Sequence, residues 1–455
     1  MRKLRVGFTG MFVMASCLYG TATVGTAAAA SNTNRLTCGT PISHNTTLHA
    51  DVGPCSGDGL VVTKSGVHLN LNGHRVFGHS AFGQSAVGGS FAGIRLQSVH
   101  GVTVDGHGSV ASFDAGVIVS RGRNNTVKDL NVHDNNDTQY VADSTGSQAL
   151  YGDGIVVLSS SYNLVTNNKV HDNGPFSGIT VLAETDQNPG PNLGSITGPA
   201  PAGNVIHRND VIHNDVPDVC PSNGQGGQAP SGTCNPGAPV YNEDIGIRIE
   251  GPQASHTTVS NNRASWNGRT GISPLNTFGK FSPPTANIPP NTDTVIVHND
   301  VEHDGIATTI YDNDPTIGPV EGDGIFNRCY KGSPQQGCPV RTVIVGNTVN
   351  HNTASGIDLQ VSKGTTVEDN VALYNNRDYT QTFVSQHNAS GPYDDGTDVN
   401  PGCDNNIWLN NVLGTISQAC VEHHIGASSM ASPQAAAARE LDPSMPLAQN
   451  DRRHG

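Results

Sequence analysis

Charged residues gather in the middle of this chain, beside one recurring strand. The pattern Gly-Ile-x-apolar, or a close variant, reads GIRL (93–96), GVIV (116–119), GIVV (154–157), GITV (178–181), GIRI (246–249), GIFN (324–327) and GIDL (356–359). Side chains alternate across a strand. If Ile247 and Ile249 face a core, Arg248 and Glu250 face outward. Arg95, Ile118, Val156, Thr180, Phe326 and Asp358 hold the equivalent outward positions. Asp114, Asp153, Asp244, Arg269 and Asp323 stand just before such strands, and Arg328 follows one. Together with Glu243, these place a charged cluster on the central strands.

Two chemistries suit such a cluster. Elimination on a uronic acid polymer requires that the sugar carboxylate be neutralised, the C5 proton removed and the leaving oxygen protonated. Arg248 and Arg269 would clamp the carboxylate or take the proton. Asp244, Glu250 and Asp323 complete the catalytic candidates, with Arg328 and Asp358 as substrate contacts. Glu243 and Asp153 offer oxygens for a calcium ion that would do the same neutralising. Glycoside hydrolysis instead needs two carboxylates flanking the bond; Asp244, Glu250, Asp323 and Asp358 supply several pairs. The third reading is a structural ion-pair network without chemistry.

A second motif, Asn-x-[Val/Ala]-x-x-Asn, occurs as NKVHDN (168–173), NDVIHN (209–214), NRASWN (262–267), NTVNHN (347–352) and NVALYN (370–375). LNVHDN (130–135) and NDVEHD (299–304) are one-residue variants. Its fifth position reads Asp134, Asp172, His213, Trp266, His303, His351, Tyr374, a ladder of rings at one place in the repeat. Ring stacking is one reading; sugar contact by Trp266 and Tyr374, or soft-metal binding by the three histidines, are the others.

These motifs need an element that repeats. Asn347 and Asn370 mark a bare repeat of about 23 residues. Each repeat carries a short apolar strand before the Asn motif, the strand inside it, and the Gly-Ile strand. None can bury a face alone, but stacked coils close a common core. The expected fold is therefore all-β, a parallel β-helix whose asparagines stack at a corner. Insertions at 136–151, 215–243 and 305–321 precede the Gly-Ile strand; others at 184–202, 274–291 and 328–340 follow it. Long loops thus flank this one sheet, which marks it as the binding face. Residues 36–75 read as an N-terminal cap and first coil.

The ends and the cysteines point to export. Residues 1–30 have the charged start, apolar stretch and small-residue exit of a signal peptide, without a membrane span. The β-helix domain is expected over 31–424 and a flexible, Ala/Ser/Pro-rich tail over 425–455. Beyond Cys17 there are eight cysteines in four local pairs, which suggests disulfides Cys38–Cys55, Cys220–Cys234, Cys329–Cys338 and Cys403–Cys420. None has zinc spacing. With a formal net charge of −14 and no basic stripe, a nucleic-acid partner is excluded.

The run LNLNGHRVFG near the cap, followed by GIxL…NxVxxN coils, resembles the pectate-lyase-like superfamily, and within it the right-handed parallel β-helix repeat proteins that include the NosD-like periplasmic copper-linked group. The resemblance covers roughly residues 58–415 and implies a right-handed parallel β-helix. Members include polysaccharide lyases, glycoside hydrolases, epimerases, adhesins and proteins without catalysis, so it does not choose an activity. The pectin-hydrolase motifs are not present in order: NTD (291–293) and GHG (106–108) run reversed, and the DPHD motif of alginate epimerases is absent. The resemblance implies a polysaccharide or cell-surface glycan as partner, with copper handling and non-catalytic binding as the alternatives.

Overall fold

Three parallel sheets of eleven strands run the length of the folded part, and every strand pairs with its counterpart one coil away. The computed structural model describes residues 35–79, 91–136, 152–183, 198–216, 245–251, 253–276, 289–305, 322–329, 338–375, 395–398 and 405–417, with the short pieces 218–219, 239–240, 403 and 419–421. The chain is a right-handed parallel β-helix, as the repeat demands. No helix among these residues is long and apolar enough to cross a membrane.

The Gly-Ile strands form the first sheet, including Asp153–Leu158, Ser177–Leu182, Ile245–Glu250, Ile272–Asn276, Ile325–Cys329 and Ile357–Gln360. Their register stacks Ile155, Ile179, Ile247, Ile272, Ile325 and Ile357 in one inward column. Val165, Ile206, Val259, Ile296, Ile344 and Val367 form the matching column of the second sheet. Val132, Val170, Val211, Ala264, Val301 and Val349 form that of the third. These residues are almost wholly buried in one continuous core. β-Branched side chains suit this because they stack on the pleat with little rotamer freedom left to lose.

Corners are made by a two-residue device. A residue in the left-handed region turns the chain, and the next points its side chain into the corner. Between the second and third sheets the turning residues are Asn167, Arg208, Asn261, His298, Gly346, Asp369 and Asn410. After them come Asn168, Asn209, Asn262, Asn299, Asn347, Asn370 and Asn411, each side-chain amide donating to the next at 2.9–3.0 Å. The third-to-first corner repeats this with Asn135, Asn173, Asn214 and Asn267, donating in turn at 2.8–3.0 Å. The first-to-second corner carries Asn125, Asn163 and Asn204. Stacked asparagines thus occupy all three corners, not the one that the motif alone indicates.

Disulfides close the two ends. Cys38–Cys55 and Cys403–Cys420 are formed as the spacing suggests. Cys338 is disulfide-bonded. Cys220 and Cys234, the segment 1–30 and the tail 425–455 lie outside the described residues, as does the side chain of Cys329.

Candidate functional site

The central Gly-Ile strands bring most of the expected charged residues onto one face. Register sets Arg248 between Thr180 and Ser273, and Asp358 between Phe326 and Thr397. Glu250 pairs with Leu275, Leu275 with Arg328, and Arg328 with Gln360. Because coils repeat every ~4.8 Å, these side chains form rows along the helix axis. The described stretches end at Asn136, Val216 and Gly305 ahead of such strands in the chain, and at Ala183, Asn276 and Cys329 behind them.

Arg248 and Glu250, two apart on one strand, share a face and form an ion pair. The guanidinium also lies over the Phe176 ring, 4.7 Å from its centroid, a favourable placement for a cation. Phe176, directly before the strand Ser177–Leu182, belongs to no motif that marks it in the sequence. Arg328 sits in the same way over Phe326, at 4.7 Å. Asp358 accepts from the Gln360 side chain at 2.8 Å, and Asp323 from the backbone N–H of Ser355 at 2.8 Å. Asp153 accepts from the Thr180 hydroxyl at 2.5 Å. Arg248, Glu250, Arg269, Asp323, Arg328 and Asp358 are all buried, although they stand on the outer face. They are a covered polar layer, not an open charged floor.

Toward the N-terminal coils the same face turns apolar: Ala92, Ala115, Ile118, Val156 and Leu182 form a separate buried cluster. Asp244 and Glu243 lie outside the described residues. Among the described residues no group of three His, Cys, Asp or Glu side chains could hold a metal ion.

Trp266 belongs to the corner leading into this sheet. The rings of His213, Trp266, His303, His351 and Tyr374 stack face to face over five consecutive coils, with centroids 6.1, 4.4, 5.1 and 5.3 Å apart. All five residues are in the left-handed region, φ 53–64°, which sets the rings in register. Both faces of Trp266 are taken by His213 and His303, so a sugar can meet only its edge. The rings separate His213 from His303, and the three histidines do not converge on a point.

A second covered surface has no signal in the sequence. The outward row of the second sheet, Thr166, His207, Ser260, Val297, Val345 and Glu368, is buried too. His207 holds Ser260 through Nδ1, 3.0 Å from Oγ; burial, then the charge of Arg208, push its imidazole below the usual range.

No family model matches the chain. No curated protein matches it. Among solved structures it is similar to the Dettilon tailspike protein (14% identity, TM-score 0.43, 76% of this chain and 49% of that one). It is similar to a pectate lyase (14%, 0.38, 72% and 64%) and to an alginate lyase from Paenibacillus sp. str. FPU-7 (13%, 0.37, 74% and 86%). The chain thus spans about half of the tailspike and under two thirds of the pectate lyase. At these identities the likeness is at most one of fold, and the parallel β-helix rests on this chain's own three sheets.

Proposed function

We propose that this is a secreted carbohydrate-interacting protein whose site is the polar layer of the Gly-Ile sheet, and that it acts on an acidic polysaccharide by lyase or epimerase chemistry. The observation that carries the reading is the gathering of three arginines and three carboxylates on consecutive strands of one face: Arg248, Arg269 and Arg328 with Glu250, Asp323 and Asp358. The two described disulfides fit an oxidising compartment outside the cell. Because the layer is covered, the polymer must displace what covers it; lying along the helix axis it would then meet the rows one coil at a time, its carboxylates facing the arginines. A guanidinium that neutralises the carboxylate makes the C5 proton more acidic. In a lyase the C5–H and C4–O bonds then break, and a C4–C5 double bond forms as the leaving oxygen takes a proton. An epimerase instead leaves the C4–O bond intact, and after one group has taken the C5 proton a second group delivers a proton to the opposite face of C5.

The test is a panel of acidic polysaccharides, read by ultraviolet absorbance for unsaturated products and by nuclear magnetic resonance for inverted residues. Arg248→Ala would leave Glu250 buried without its partner. Arg248→Lys is the informative variant, since it keeps the charge but loses the fork. It is expected to lower kcat/KM about tenfold or more, a loss of roughly 1.4 kcal/mol in transition-state binding, while Lys169→Ala on the third sheet changes nothing. No product and no retained polymer anywhere in the panel would sink the proposal.

The Arg248–Glu250 pair supports a second reading, binding without catalysis, because the two charges are already engaged with each other. Retention of a polysaccharide without product would establish that reading.

A further inference from the structure

One rung of the third-to-first corner breaks the asparagine rule. After Asn267 the next coil supplies Asp304, and the coil beyond it Asn352. Asp304 Oδ1 does what an asparagine oxygen does: it accepts from the Asn267 backbone at 2.8 Å and from the Asn267 amide at 2.9 Å. Its other oxygen occupies the amide nitrogen's place. A Cβ built on Gly271 would meet Asp304 Oδ2, just as one built on Gly246 or Gly324 would meet the Nδ2 of Asn267 or Asn352. At that place the neighbouring rungs donate. Asn267 donates to the Val211 carbonyl and Asn352 to that of Val301. By register the corresponding group for residue 304 is the Ala264 carbonyl. The next rung, Asn352 Oδ1, already accepts from the Asp304 backbone at 3.0 Å. Both are acceptors, and Oδ2 is buried with no hydrogen-bond partner.

We propose that Asp304 is a pH-sensitive joint in the solenoid: as a neutral acid it donates in the amide's place and continues the ladder, and on ionisation it breaks the ladder between the His303 and His351 coils. The contrast with Asp395 supports this. At the ladder's far end Asp395 accepts from Asn375 at 2.7 Å, while its second oxygen accepts from the Thr415 N–H at 2.9 Å. There the second oxygen finds a donor; at 304 it finds acceptors.

Burial is the largest influence on Asp304 and pushes its carboxyl well above the usual range; the two Asn267 donors partly oppose this, and the charge of Glu302 adds to it. The other groups around it, Asn267, Asn352, Gly271 and Gly324, are neutral. The sign follows from linkage. Below pH 3.8, the ordinary aspartate value, folded and unfolded chains both hold the proton. Above it only the folded chain does, so stability falls with rising pH until the folded group ionises too. The strands it abuts begin just after Arg269 and Asp323, so the joint lies under the polar layer, but its test does not depend on that layer's function.

The experiment is thermal unfolding of the full chain and of Asp304→Asn at pH 4 and pH 8. Restoring the repeat's own residue is expected to raise the midpoint at pH 8 by on the order of 2 °C or more, with the gap closing toward pH 4. A gap that is absent, or equal at both pH values, overturns the proposal. An infrared difference spectrum, wild type minus variant at pH 5, where an ordinary aspartate is ionised, is expected to show the carbonyl stretch of a protonated acid. A carboxylate band in its place overturns the proposal independently of either protein's stability.

Discussion

Asn262→Ala is expected to destabilise the β-helix by roughly 4 kcal/mol or more. The Asn262 amide uses its whole hydrogen-bonding capacity. Oδ1 accepts from the backbone and side chain of Asn209 at 2.9 and 3.0 Å, while Nδ2 donates to the Ile206 carbonyl at 2.9 Å and to Asn299 Oδ1 at 3.0 Å. Alanine would strand the Asn209 backbone N–H and one of its amide hydrogens and take a donor from the Ile206 carbonyl in a dry corner, while Asn299 Oδ1 keeps only the backbone N–H of residue 262 at 2.9 Å. Each buried polar group left so costs about 1–3 kcal/mol, and partial relaxation keeps the sum below simple addition. Neighbouring rungs polarise one another, which adds to the loss. The control is one residue away: Asn261 turns the corner at φ 53°, which glycine adopts freely, so Asn261→Gly is expected to shift stability by a few tenths of a kcal/mol. Urea unfolding of the three proteins checks both. A midpoint for Asn262→Ala close to that of Asn261→Gly would mean that the ladder decorates the corner without holding it.

That contrast between adjacent asparagines shows where the sequence stops being legible. Motif spacing is enough to count three strands per coil and to point Ile247 and Ile249 inward, because alternation and a 23-residue period follow from strand geometry. It also identifies Arg248 and Glu250 as neighbours on the outer face. The sequence does not show that the outer face is covered, since strand alternation says which way a side chain points and not how much solvent reaches it. Nor does it separate the two asparagines of NNR (261–263): one is chosen for its backbone and one for its amide, and only the coil stacking tells them apart. Asp304 reads as a harmless variant of the motif until the ladder shows two acceptors around its second oxygen. For Trp266 the sequence leaves ring stacking and sugar contact both open, and the stacking against His213 and His303 decides for the first.

The glycine of the Gly-Ile strand is the other feature whose reason lies in packing, and its substitution is the second large effect. Gly178 has no left-handed φ to justify it. What excludes a side chain is the sharpness of the third-to-first corner, which folds the Asn ladder and the valine column against the strand. A Cβ on Gly178 would lie 2.5 Å from Val211 Cγ1, 2.8 Å from Asn214 Nδ2 and 2.8 Å from the Gly246 carbonyl oxygen. Gly154 is confined in the same way by Val170, Asn173 and Gly178, so the constraint recurs coil after coil. A backbone carbonyl and a fully bonded amide cannot step aside cheaply. Gly178→Ala is therefore expected to cost about 3 kcal/mol, at the upper end for overpacking, by widening the spacing of the ladder that Asn214 belongs to. Val211→Ala removes one of the three contacts. Ala264 already stands at that position in the next coil, where the atoms nearest a Cβ on Gly246 belong to Asn267 and the Gly271 carbonyl. The double variant should thus be more stable than the two single losses predict, by roughly 1 kcal/mol in a double-mutant cycle. Strict additivity would show that the valine yields freely and that the glycine is there for the ladder and the carbonyl alone.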